Sequence, residues 1–159
     1  MQFLLDHGAD INKSATGKPG EKWSWSTLWR LFVSQPNVTL SPIHLAAVAG
    51  HTEVVQLLLQ RGAYPTVSHP FTALHLAAEY GHPAIIKLLV EVGHVNVDVL
   101  DGEGRTPLLC AATSGEEAYP QCMRMLKDLG ANLDYVIAAD ADHAHKGHSL
   151  LWSLIRSLN

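Results

Sequence analysis

Histidine and cysteine are the residues with chemistry to offer in this 159-residue chain, which carries ten of the first and two of the second. Asp140, Asp142, His143, His145 and His148 crowd into one stretch, and carboxylates with imidazoles at that density can bind zinc or nickel. Nothing in the sequence supplies the outer partner that orients a metal-bound imidazole. A solvated loop therefore accounts for the run, with a metal-binding protein acting through Asp140–His148 as an alternative. Cys110 and Cys122 lack the electropositive setting that lowers a thiol pKa, so they read as small core residues rather than nucleophiles. Gly17, Gly20 and Lys22 fail the spacing of a phosphate-binding loop, and no strand pattern precedes them. No catalytic residue, metal or cofactor is expected.

Composition narrows the class of protein. Hydrophobic residues make up 47% and charged residues 16%, enough apolar side chain to bury a core and too little charge to hold the chain open. Eleven Lys and Arg face fifteen Asp and Glu, for a net charge of −4, with no basic block for a nucleic-acid backbone. No run is long and apolar enough to cross a bilayer, and the first residues lack a signal-peptide pattern. Two cysteines suit a reducing compartment. The expectation is an intracellular protein, cytoplasmic or nuclear, monomeric, with a protein as its partner.

The chain repeats itself. Ser41-Pro-Ile-His44-Leu-Ala-Ala47 recurs as Thr72-Ala-Leu-His75-Leu-Ala-Ala78 and as Thr106-Pro-Leu-Leu109-Cys-Ala-Ala112. Gly50-His51 recurs as Gly81-His82, and paired apolar residues precede Gly62, Gly93 and Gly130, as Phe3-Leu4 precede Gly8. Each unit reads as two helices. Ser41, Thr72 and Thr106 are N-caps whose hydroxyls accept an orphan N–H, and Pro42 and Pro107 fit the first helical position. Gly50, Gly81 and Gly115 supply the left-handed residue that stops the first helix. Val54, Val55, Leu57 and Leu58, then Ile85, Ile86, Leu88 and Leu89, form the apolar stripe of the second, which Gly62, Gly93 and Gly130 end. The Ala pairs keep the first helix slim, so that stacked units approach closely. A single unit cannot bury its apolar face alone.

These motifs closely resemble the ankyrin repeat. The resemblance implies an all-α solenoid of helix-turn-helix repeats joined by hairpin loops, about three full repeats plus two half repeats. Residues 1–12 form the second half of a truncated repeat, 37–69, 70–100 and 101–134 form full repeats (the last with a short insertion), and 147–159 open another. A loop at 135–146 and an insertion at 13–36 interrupt the array, which reads as part of a longer one. In this family His7, His44, His51, His75 and His82 would hydrogen-bond within and between repeats.

The insertion places Trp25, Leu28, Trp29 and Phe32 on one face of a short helix capped by Ser24 or Ser26. That face either packs back on the array beside Phe3 and Leu4 or anchors a partner, with Trp25 and Trp29 as contacts. The segment from Ser149 reads as another repeat opening. It also loosely resembles the elongin-binding box of ankyrin-type ubiquitin-ligase adaptors, with Leu154 where that box has cysteine.

The resemblance further implies a concave face at the hairpin tips and the outer side of the first helices. Carried onto this chain, its contact positions are His69, Phe71, Glu79 and Tyr80, then Glu103, Arg105, Thr113 and Ser114, then Lys146 and His148. Phe71, Tyr80 and Arg105 are chemically suited as anchors. The strip is mixed in charge and implies neither a strongly basic nor a strongly acidic partner. The function expected is non-catalytic protein binding, with a substrate adaptor of a ubiquitin ligase as the alternative.

Overall fold

The computed structural model describes residues 9–13, 15–16, 39–66, 71–113 and 119–133. Among them lie six helices: α1 (Pro42–Val48), α2 (Thr52–Gln60), α3 (Ala73–Glu79), α4 (Pro83–Glu91), α5 (Pro107–Thr113) and α6 (Tyr119–Asp128). The helices pair as α1 with α2, α3 with α4 and α5 with α6. First helices stack on first helices and second on second, giving two layers. The all-α repeat architecture expected from the motifs is present.

The core fills the space between the layers. Ile43, Leu74 and Leu108 hold one position of successive first helices, and all are fully buried. Leu58, Leu89 and Leu126 do the same in the second helices. Ala47, Ala77 and Ala111 are wholly enclosed, so the first helices approach over methyl groups rather than branched side chains. Apolar burial on this scale is the main favourable term in folding, and here it exists only between neighbours.

Gly50 and Gly81 adopt the left-handed conformation after the first helices, at φ +73 and +76, and Gly62 and Gly130 do so after the second. Gly93 departs from the expectation. At that helix end the left-handed residue is His94, φ 52, and the chain carries one extra residue. Thus Ala63 N–H donates to Leu58 O and Ala131 N–H to Leu126 O, whereas Val95 N–H donates to Leu89 O, six residues back rather than five. Gly93 is needed for closeness instead, because a Cβ there would lie 2.6 Å from Leu89 O and 3.2 Å from Leu59 Cδ2. Gly115 lies outside the described residues.

One feature adds to the helical array. Residues Ala15–Thr16 (β1) and Thr39–Leu40 (β2) pair antiparallel, Ala15 opposite Leu40 and Thr16 opposite Thr39. The ladder brings together two points of the chain that flank the tryptophan-bearing stretch. Register across it is kept: Asn12 Oδ1 accepts from Tyr64 N–H at 2.9 Å, as Asp98 Oδ1 accepts from Asn132 N–H at 3.0 Å one repeat pair further on. The first of these bonds spans 52 residues and the second 34, yet the same kind of contact forms in both places.

Candidate binding face

The hairpin before α5 is organised by one carboxylate. Asp101, 8% exposed, accepts the N–H groups of Glu103 and Arg105 at Oδ1, each at 2.8 Å. Its Oδ2 accepts from Arg105 Nε at 2.9 Å. The turn is closed by Gly104 N–H donating to Asp101 O at 3.1 Å, with Gly104 in the left-handed region. Asp101 was not among the residues singled out in the sequence. The signal was there in Asp101-Gly-Glu-Gly-Arg105, since an Asp side chain that captures nearby N–H groups is a turn former.

Arg105 is therefore fixed from several sides. Its guanidinium lies 5.5 Å from the centre of the Phe71 ring, a cation–π distance. Its Nε also lies 3.3 Å from Glu103 Oε2. Its carbonyl accepts from Asp101 N–H at 3.0 Å and from His75 Nε2 at 2.9 Å. The sequence read Arg105 as an anchor on a strip of mixed charge; the fold pairs it with a carboxylate whose side chain is 0% exposed.

Phe71 also departs from expectation. It is only 5% exposed and packs with Leu40, Val48 and Leu76 in a second apolar cluster, against which Leu45 and Tyr80 lie half-buried. Its ring supports Arg105 from beneath rather than standing free as an anchor. Leu40 comes from β2, so the ladder and the candidate face share this cluster. Glu79 and Tyr80 follow at the end of α3, half-buried, and Glu103 is exposed at the hairpin tip. His69, Ser114, Lys146, His148, Trp25 and Trp29 lie outside the described residues, as does the side chain of Thr113. The Asp140–His148 run lies outside them too. Among the described residues no group of His, Cys, Asp and Glu could hold a metal ion.

The histidines position the face. Thr72 and Ser41 sit at N-cap positions, yet neither makes the expected cap bond. Their hydroxyls face imidazoles instead: Thr72 Oγ1 lies 2.8 Å from His75 Nδ1 and Ser41 Oγ lies 2.7 Å from His44 Nδ1. His75 Nε2–H donates to Arg105 O, so in the neutral ring Nδ1 is the acceptor and the Thr72 hydroxyl is the donor. In the third repeat Leu109 replaces histidine, and there Thr106 Oγ1 does accept Leu109 N–H, at 3.3 Å. Burial lowers both pKa values, that of His44 to about 4. Both rings are neutral at physiological pH.

His82 bridges repeats by donating from Nε2 to Val48 O at 3.0 Å. His51, expected to act alike, is exposed, and no side-chain hydrogen bond is seen for it among the described residues. Cys110 and Cys122 are buried, and burial pushes their thiols up to about 12 and about 11. Such thiols are not nucleophiles near neutral pH.

The arrangement is a stack of helix pairs presenting hairpin tips, and it defines a repeat-built interaction module. The family model for Ankyrin repeats (3 copies) matches residues 43–137, and the chain belongs to that family. Ankyrin repeats bind proteins rather than catalyse reactions. The chain is 44% identical over 107 residues to Ankyrin repeat and SOCS box protein 10 of Mus musculus, an alignment covering 67% of this chain and 22% of that protein. It thus spans less than a quarter of the length of this curated relative. No helix among the described residues is long and apolar enough to cross a membrane.

Proposed function

We propose that this chain is a non-catalytic module that holds a protein partner on the concave face marked by Glu79, Tyr80, Glu103 and Arg105. The observation that carries this reading is the fixed hairpin tip. Arg105 is locked to buried Asp101, stacked on buried Phe71 and tied through its carbonyl to His75, so its orientation is set before any partner arrives. Preorganised side chains lose little entropy on binding, which is how a rigid array gains affinity from few contacts. The test combines Tyr80→Ala with Arg105→Lys, which keeps a cation beside Asp101 while losing the planar fork. The double variant should keep the parent circular dichroism spectrum and lose capture of the partner. Undiminished capture of the same partner would place the binding surface elsewhere, and the segment containing Trp25 and Trp29, with His69, Thr113, Ser114, Lys146 and His148, would be the next place to look.

A second reading is favoured by the similarity to a protein named for ankyrin repeats and a SOCS box. In it the repeats select a substrate for a ubiquitin-ligase complex, with the segment from Ser149 meeting the elongin-type subunits. Co-purification of those subunits with the chain supports it, and their absence at saturating concentration removes it. The intracellular, monomeric state expected from composition belongs to both readings. Metal binding through Asp140–His148 is tested separately by elemental analysis: stoichiometric zinc or nickel lost with His143→Ala and His145→Ala would establish it.

A further inference from the structure

Arg105 commits only part of its hydrogen-bonding capacity to the hairpin. A guanidinium carries five N–H donors, one on Nε and two on each Nη. Nε donates to Asp101 Oδ2 at 2.9 Å, and Glu103 Oε2 lies 3.3 Å from the same nitrogen. Among the described residues no hydrogen bond or ion pair reaches Nη1 or Nη2, and the side chain is 31% exposed. It is nevertheless held in place. The guanidinium carbon stands over the buried Phe71 ring, while the Arg105 main chain is bonded to Asp101 and to His75. Four donors are thus oriented by the contacts of their own side chain, with no acceptor among the described residues.

Resting on the concave-face reading above, we infer that the Nη edge of Arg105 takes an amide carbonyl of a bound protein segment, from its main chain or from an Asn or Gln side chain. With Nε closed by Asp101, the side-on fork that would pair a carboxylate through Nε and one Nη is gone, and the end-on pair remains. Asp101 also meets the charge. Its side chain is wholly enclosed, where attraction is screened little, so the cation already has its counter-ion at contact distance. A carboxylate arriving at the other edge would give up its water to share a cation that is already paired. An amide carbonyl brings no ion to desolvate and still accepts a charge-assisted bond. The hairpin thereby turns a charge into a directional donor.

The test uses the full chain and a displayed random-peptide library, with enriched peptides synthesised and titrated by fluorescence anisotropy. Arg105→Lys keeps the cation and should weaken these peptides about tenfold with an unchanged circular dichroism spectrum. A second arm leaves the protein intact. Each main-chain amide of the peptide is replaced in turn by an ester, a poorer acceptor, and each Asn or Gln by Ala. One such replacement should cost about fivefold against the parent chain and nothing against Arg105→Lys. An ester at that position identifies a main-chain carbonyl, and an alanine identifies a side-chain one. Acidic peptides whose carboxylate-to-amide change costs affinity only while Arg105 is present would overturn the carbonyl inference and leave the concave face standing. So would peptides that lose binding with Tyr80→Ala but ignore Arg105→Lys, or that show no position coupled to Arg105. Peptides indifferent to both variants, or no enrichment at all, would overturn the face itself.

Discussion

The imidazole of His82 lies directly over Gly50, so close that a Cβ on Gly50 would stand 2.7 Å from His82 Cε1. The same ring donates through Nε2 to Val48 O, two residues before that glycine. One side chain of the second repeat thus closes the turn of the first, and the glycine is there both for its φ of +73 and for the space. Gly50→Ala should cost about 3 kcal/mol, combining a left-handed alanine with a clash against a ring that cannot leave its bond. Gly62 shares the positive φ but has nothing within 4 Å of the added carbon, so Gly62→Ala should cost only about 1 kcal/mol. Urea midpoints of the two variants decide the point. Equal losses would mean that the ring yields freely.

Acid sensitivity should trace to the buried histidines. Burial lowers the His44 pKa from 6.5 to about 4, and that of His75 moves in the same direction. Between those values the unfolded chain binds a proton that the folded chain refuses. Stability is therefore flat above pH 6.5 and falls as pH drops through that window, by about 2 kcal/mol from His44 alone between pH 7 and pH 5. His44 Nε2 has no partner among the described residues, and Leu109 shows that leucine fits this position in a neighbouring repeat. His44→Leu should hold stability at pH 7 and remove roughly that much of the acid loss. An unchanged slope in urea midpoint against pH would contradict it.

The hydroxyls at the helix starts have different duties, and a double-mutant cycle separates them. Thr106→Ala loses a cap and should cost about 1 kcal/mol. Thr72→Ala strands the buried Nδ1 of His75 and should cost about 2 kcal/mol, most of which disappears in a His75→Leu background. Additive losses for Thr72 and His75 would show that their contact carries no energy.

Asp101 should matter to stability more than its place on a surface hairpin suggests. Asp101→Ala removes acceptors from Glu103 N–H, Arg105 N–H and Arg105 Nε at once, and should cost about 3 kcal/mol. Glu103→Ala, at the exposed tip beside it, should stay within about 0.5 kcal/mol of the parent. Chemical denaturation of the two variants gives the comparison.

Both thiols should resist modification. Cys110 and Cys122 are buried, with thiols raised to about 12 and about 11, so a disulfide reagent near neutral pH should label neither until denaturant is added. Rapid labelling of the native protein would show that the third repeat opens.

Much of the architecture was legible in the residues, because each repeat states the same local instructions: hydroxyl before a slim helix, glycine after it, then an apolar stripe. Self-similarity made the stacking readable too, since a face that recurs unburied in each unit has only its neighbours to cover it. The partners of side chains were not legible. Ser41 and Thr72 carry the cap signature, but only folding brings an imidazole close enough to compete for the hydroxyl, and only Leu109 leaves Thr106 free to cap. Gly93 matches its counterparts in spacing, yet an added residue hands the left-handed turn to His94. Phe71 and Arg105 look like anchors by type. Whether a ring stands in solvent or beneath a guanidinium, and whether a cation is free or tied to a buried carboxylate, depends on segments that meet across repeats. Periodicity records which way a residue faces; Coulomb and packing energies depend on what it meets, and that distance exists only in the folded chain.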